Sequence, residues 1–303
     1  AWAEDPKFAG AEGRWTNQEE LESLIGAWTI EFDRNRLSSM LQDHGVPAGA
    51  VQTPRDRVEW DPQLEHRQTY QIYNHHEVGP RRYETVAAKL SDSPYTPRHP
   101  APMIGQHNPY VFSELLGISV SEVERLESQD LIRTHIFPEG DSDQIYLPES
   151  GPPRSAQTNG TTESALKGVL VLELGDEGTQ YSGKLLAEMG ARVIKIEPPQ
   201  GANCRHRGPF KDDTPDPNGS VYFWAYNTSK ESLVLDLTTE ADQARLRTLA
   251  NKADILLEDF SPGYLASLGL GHSDLSKENP GLITVSVTSF GQTGPMKDWK
   301  GND

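Results

Sequence analysis

The chain has 303 residues and sets 28 Lys and Arg against 45 Asp and Glu, a formal net charge of −17, which excludes a general nucleic-acid binder because a phosphate-facing surface needs a basic stripe. Its length corresponds to about two domains, and a 35% hydrophobic content is enough to bury a core. One cysteine, Cys204, allows no internal disulfide and no zinc spacing, and no apolar run reaches the ~18 residues that cross a bilayer, so a reducing, cytoplasmic setting without membrane or metal is expected.

In chain order, Thr16 or Asn17 with Glu19 or Glu20 forms a capping-box signal, and Leu21, Leu24, Ile25 and Trp28 then fall on one helical face. A second helix carries Leu37, Met40 and Leu41 and stops at Gly45. Residues 52–106 are rich in Pro, His and Tyr, and their weak periodicity places strands only loosely. Asn108-Pro109 opens another helix, and Ser119 with Glu122 caps the next. Residues 1–136 thus have an α+β texture. Residues 137–165 abandon periodicity for Pro, Gly, Ser, Thr and acids, the composition of a linker. From 166 onward apolar strands are expected at 168–174, 192–196, 232–237, 254–260 and 282–289, with helices at 183–189, 239–252 and 262–268 between them. That alternation predicts an α/β fold with a doubly wound parallel sheet over 166–303.

Gly178-Thr-Gln-Tyr-Ser-Gly183-Lys184 nearly spells the phosphate loop of nucleoside triphosphatases, but Leu185 stands where a hydroxyl should hold Mg²⁺. What survives is a Gly-containing turn whose backbone N–H groups face an anion or carbonyl at the sheet's carboxyl edge. Glu197 ends a strand as the ribose acid of dinucleotide folds does, without their glycine fingerprint. The stretch 203–211, with Arg205, His206, Arg207 and Lys211, is the most basic in the chain and suits either a phosphate-bearing ligand or an ordinary solvated loop. His75-His76-Glu77 lacks metal-ligand geometry because neighbours on an extended segment point to opposite faces. His107 reads as a helix-entry hydrogen-bonder, and Cys204 lacks the partners of a thiol enzyme.

The stretch GVLVLELGDEGTQYSGKLLAEMGARVIKIEPP, around Val169–Glu197, resembles the opening of the class III CoA-transferases, the CaiB/BaiF family. Tyr222–Asn227 with Ser229–Ser232, Ala253–Gly263 and Val285–Pro295 follow in that family's order. Asp5–Phe8, Gly45–Gly49, Asp61–Leu64, Ala101–Asn108 and Leu115–Gly117 resemble the same family's C-terminal end. An end followed by a beginning implies two tandem copies: 1–136 closes the first, 137–165 links them, and 166–303 begins the CoA-binding part of the second, in a piece of a longer protein. A further implication is that 1–136 packs on the 166–303 sheet as a permuted large domain.

The resemblance implies a transferase that moves CoA between an acyl-CoA and a small carboxylic acid. In that family a carboxylate attacks the thioester, and covalent catalysis proceeds through an aspartyl-CoA without metal. The attacking Asp follows the segment Gly301-Asn302-Asp303, so no residue of this chain is assigned that role and the chain alone is expected to be inactive. The implied CoA cradle is Gly175, Asp176, Glu177, Gly178 and Gln180, then Pro198, Leu235, Thr238, Asp259, Phe260, Ser267, Leu268 and Lys300, with Asp303 near the acyl end. Asp176-Glu177-Gly178 replaces a common Ala-Gly-Pro, Asp259 a common Asn and Ser267 a common Arg, and Glu231 stands where a basic residue is common; each change makes the cradle more negative. The expectations left open are a working CoA-transferase, a degenerate structural half, and an acyl-CoA racemase or lyase of the same family, in an intertwined dimer or a pairing of tandem copies.

Overall fold

A computed structural model describes residues 2–93, 98–129, 132 and 163–301, so most of the expected linker, 137–162, lies outside the described residues. The chain divides into two compact units, Ala1–His66 and Arg67–Asp303.

The first unit is helical: α1 (Ala11–Thr16), α2 (Gln18–Thr29), α3 (Arg34–Asp43), α4 (Pro54–Glu59) and α5 (Pro62–His66). The capping box expected before α2 does not form, because the Asn17 amide turns back and donates to Gly13 O at 2.8 Å. Caps form instead at Asp33, which accepts from the N–H groups of Asn35 and Arg36, and at Thr53, which forms a reciprocal box with Asp56. Within this unit Phe8 is buried, while Trp15, Ile30, Val51 and Trp60 stay exposed.

The second unit begins with an antiparallel hairpin, β1 (Tyr70–His75) and β2 (Gly79–Glu84). Then come α6 (Asn108–Glu114) and α7 (Val120–Ser128), the latter capped by Ser119 Oγ, which accepts from Glu122 N as the sequence predicts. The α/β part follows as β3 (Leu170–Leu174), α8 (Glu177–Glu188), β4 (Arg192–Glu197), α9 (Val221–Tyr226), β5 (Lys230–Val234), α10 (Glu240–Ala250), β6 (Ile255–Glu258), α11 (Tyr264–Ser267), α12 (His272–Leu275) and β7 (Ile283–Ser286). All five of these strands pair in parallel in the order β5-β4-β3-β6-β7. The expected doubly wound sheet is therefore present; β5, β6 and β7 end two or three residues before their expected boundaries, whereas β3 ends as expected and β4 one residue beyond. Helix α8 begins at Glu177, six residues before the expected start, because Gly178 and Gly183 sit inside it.

Strand β3 is buried through four of its five residues and β5 through all five, as a sheet covered on both faces requires. On one face the largest core cluster joins Leu172, Leu174, Ile194, Leu233 and Leu256 to Val111, Phe112, Val123, Leu126 and Ile132. Residues 98–108 lie along β5. His107 N donates to Ser232 O at 3.1 Å, Gly105 N to Ser232 Oγ at 2.9 Å, and Asn108 Oδ1 accepts from Val234 N at 2.8 Å.

Candidate functional site

The chain leaves β3 outward through β4 and β5, then crosses back to the other side of β3 for β6 and β7. Connections that diverge from two neighbouring strands open a crevice at their carboxyl ends, here between β3 and β6. Gly175 follows β3 with φ +144°, and a Cβ there would fall 2.2 Å from Asp259 Oδ1, so the position accepts no side chain. From the end of β6 the Asp259 carboxylate reaches across and accepts from Asp176 N at 2.9 and 3.0 Å and from Gly178 N at 2.9 Å. The backbone donors expected to face a ligand thus face a carboxylate of the chain itself. Burial raises the Asp259 pKa, the Asp176 charge adds to the rise, and the two N–H groups oppose it.

Asp176 accepts from Cys204 N at 3.0 Å and from Asn203 Nδ2 at 2.8 Å, and Glu177 pairs with Arg207. The other expected cradle residues are spread around the same edge. Pro198 and Leu235 follow β4 and β5, but the Leu235 side chain is buried in the core. Thr238 Oγ1 donates to Asp236 at 2.6 Å, and the Phe260 ring lies 4.9 Å from that of Tyr264. Ser267 Oγ donates to Tyr264 O at 2.6 Å, Leu268 packs against the core, and Lys300 is exposed. Direct contact joins Gly175, Asp176, Gly178 and Asp259; Asp303 lies outside the described residues.

The basic stretch is not a free phosphate site. Arg205 is fully buried on Glu197, with Nε–Oε2 at 2.5 Å and Nη2–Oε1 at 2.8 Å, Arg207 is taken by Glu177, and Lys211 lies 3.4 Å from Glu77. Lys184, the lysine of the phosphate-loop likeness, is buried and donates to Glu84 O and Ala225 O at 2.8 Å each. His107 does act as a helix-entry hydrogen-bonder, its Nδ1 accepting from Ser232 N at 3.1 Å, and burial lowers its pKa to about 3. Cys204 is buried and its thiol is pushed up to about 12 by that burial, the opposite of an activated nucleophile. Among the described residues no group of His, Cys, Asp and Glu could hold a metal ion, and no helix is long and apolar enough to cross a membrane.

Sequence reasoning missed the buried charges beneath the crevice. Glu173, in the middle of β3, receives Lys195 Nζ at 2.8 Å and Lys230 Nζ at 2.7 Å, all three side chains having no exposure. Lys195 Nζ also donates to Gly175 O at 2.8 Å, which ties this group to the crevice turn. The signal was available: a charge inside an apolar, doubly covered strand must be paired.

Beside α8 lies a separate cleft of about 820 Å³, lined by the hairpin (Tyr70, Arg81, Tyr83), by α8 (Gln180, Tyr181) and by α9 (Tyr222, Trp224, Tyr226). The Tyr181 and Tyr222 rings lie 6.2 and 5.1 Å from Tyr226, and Gln180 Nε2 donates to the Tyr222 hydroxyl at 2.9 Å.

The family described as CoA-transferase family III matches residues 1–108 and 166–303. Succinyl-CoA:(R)-benzylsuccinate CoA-transferase subunit BbsE of Thauera aromatica is 39% identical over 133 residues, covering 44% of this chain and 32% of that protein. Acetyl-CoA:oxalate CoA-transferase of Acetobacter aceti is 42% identical over 142 residues, covering 45% and 34%. A solved CaiB/BaiF family protein from Brucella suis is 37% identical with a TM-score of 0.43, covering 46% of this chain and 37% of that one. The chain spans about a third of the length of the curated relatives it matches.

Proposed function

The chain belongs to CoA-transferase family III, and from that premise we propose that the whole protein moves CoA between an acyl-CoA and a small carboxylic acid through an aspartyl-CoA intermediate. In this reading 1–136 closes one family copy, 137–165 links it to the next, and 166–303 supplies the next copy's CoA crevice. An Asp carboxylate outside the described residues attacks the acyl-CoA carbonyl, forming a mixed anhydride and releasing CoA thiolate. The thiolate re-attacks the aspartyl carbonyl, which frees the first acid, and the acceptor carboxylate then repeats the exchange in reverse. The observation that carries this reading is the glycine-held turn at the carboxyl edge between β3 and β6, the switch point of the sheet, whose Asp176 and Gly178 N–H groups donate to Asp259. The names of the relatives, which pair CoA donors with dicarboxylic acceptors, support the substrate class.

A second reading, a non-catalytic half that supports another copy, is favoured by Asp259, whose carboxylate occupies those same donors. Incubating the whole protein with an acyl-CoA and a dicarboxylic acid separates the two. Acid-dependent exchange of CoA with a CoA adduct on an aspartate, seen by mass spectrometry, is expected of the transferase. Exchange without an adduct overturns the covalent route, and absence of exchange leaves the supporting half.

A further inference from the structure

The cleft beside α8 meets the crevice residues only at Glu177 and Gln180, and the rest of its lining is outside the CoA cradle. Its volume of about 820 Å³ is within the range of small-molecule sites, roughly 300–1,000 Å³. Tyr181, Tyr222 and Tyr226 form a continuous wall of rings, of which Tyr181 is half exposed. Also on the lining, Tyr83 is only 5% exposed, and its hydroxyl is buried with no hydrogen-bond partner among the described residues. A buried hydroxyl in that condition is costly until an acceptor arrives. Arg81 is two residues before Tyr83 on β2 and shares its face. Its guanidinium donates to Pro80 O at 2.8 Å and, like that of Arg82 on the same lining, pairs with no carboxylate among the described residues, whereas Lys184 lies near Glu188, Arg207 on Glu177 and Lys211 near Glu77. In a chain carrying seventeen more acids than bases, a cation left without a carboxylate points to an anion from outside.

We propose that this cleft is a binding site for an aromatic carboxylic acid, whose ring lies against Tyr181, Tyr222 and Tyr226 and whose carboxylate accepts from the Tyr83 hydroxyl and the Arg81 guanidinium. A straight-chain acid forfeits the ring contacts. A neutral arene forfeits the two charge-assisted hydrogen bonds. Glu84 and Glu177 on the lining weigh against polyanions. The site stands whether or not the protein transfers CoA, since none of its ring, hydroxyl or guanidinium groups is needed for the crevice.

Calorimetric titration of the 303-residue chain with 3-phenylpropionate, succinate and 2-phenylethanol tests it. Phenylpropionate is expected to bind at least tenfold more tightly than either of the others. Arg81→Gln and Tyr83→Phe are each expected to weaken it about tenfold. Tyr83→Phe removes a hydroxyl that has no partner among the described residues, so its melting temperature should not fall while its affinity does; a purely structural role for Tyr83 would lower both. Equal affinity for succinate, no heat with phenylpropionate, or unchanged affinity in both variants overturns the proposal.

Discussion

Asp259 Oδ2 accepts from the backbone N–H groups of Asp176 and of Gly178, both at 2.9 Å, and so joins the carboxyl ends of β6 and β3 through one carboxylate. The same contact puts a negative charge on the turn that, in the function proposed above, faces the phosphates of CoA.

Asp259→Asn is therefore expected to keep the amide contacts through its carbonyl oxygen and to raise CoA affinity by about tenfold, the Coulomb effect of removing one like charge in a half-buried site. Calorimetry with CoA measures it. Because the Asp259 pKa is raised, its carboxylate takes up a proton at a higher pH than an ordinary aspartate. The difference between the variant and the parent should shrink as pH falls into the carboxylate range. A variant that binds CoA no better at any pH would remove Asp259 as the obstacle.

Two buried ammonium groups share Glu173, so removing the acid and removing one base have unequal costs. Glu173→Gln leaves Lys195 and Lys230 unpaired and is expected to destabilise by about 3–5 kcal/mol. Lys230→Met leaves one pair intact and should cost much less. Burial lowers the Lys230 pKa to about 8 against the pull of Glu173. The fold thus disfavours its charge: the cost is full below pH 8 and fades as pH rises from there to the ordinary 10.5. Denaturant unfolding across that window should show the parent gaining stability relative to Lys230→Met.

Glu197 behaves with the opposite sign. Burial raises its pKa, but the Arg205 guanidinium, the Lys195 charge and Ser232 Oγ, which donates at 2.7 Å, together outweigh burial and hold it at about 2. Its contribution is complete above the ordinary 4.5 and is lost as pH falls from there to about 2. Arg205→Ala should cost about 3–5 kcal/mol at neutral pH, because it leaves a buried carboxylate without its partner. Acid unfolding midpoints of the two proteins test this: in the variant the pH-dependent loss in that window should be absent.

Phe112 and Val111 share a core with Leu172, Ile194 and Leu233 of the sheet. Cutting an engineered protease site between 137 and 165 should therefore leave two pieces that co-elute on gel filtration. Phe112→Ala should cost about 3–5 kcal/mol and loosen the cut pair. Pieces that separate in the parent would show that this shared core does not hold them.

The parallel sheet was legible because its strands are short apolar runs separated by helices, and the Ser119 cap because its hydrogen bond is local. The β1–β2 hairpin was not, since alternation among Tyr, His and Arg gives no hydrophobic period; its stability comes from Tyr73 and Tyr83 packing with Phe223 and Trp224, far along the chain. The crevice glycine turn was visible in sequence. The fate of Arg205, Arg207 and Lys211 was not: a run of cations looks like an anion site until the acids that neutralise it are known. One of those acids, Glu77, lies 134 residues from Lys211. Nor does spacing show that Asp259 folds back onto Asp176, 83 residues earlier.

Residues 98–108 lie along β5, the outermost strand on its side of the sheet. They hold its outward N–H and C=O groups through Ser232 and Val234, and Ser229 N donates to His99 O at 3.0 Å. An outermost strand without such a cover is a template for pairing with another molecule. The cover precedes β5 in the chain and is synthesised first, so nascent β5 meets its own partner before it can recruit a stranger's. A version beginning at 166 would contain every strand of the sheet yet carry a sticky margin, and self-association through β5 is the state it should reach.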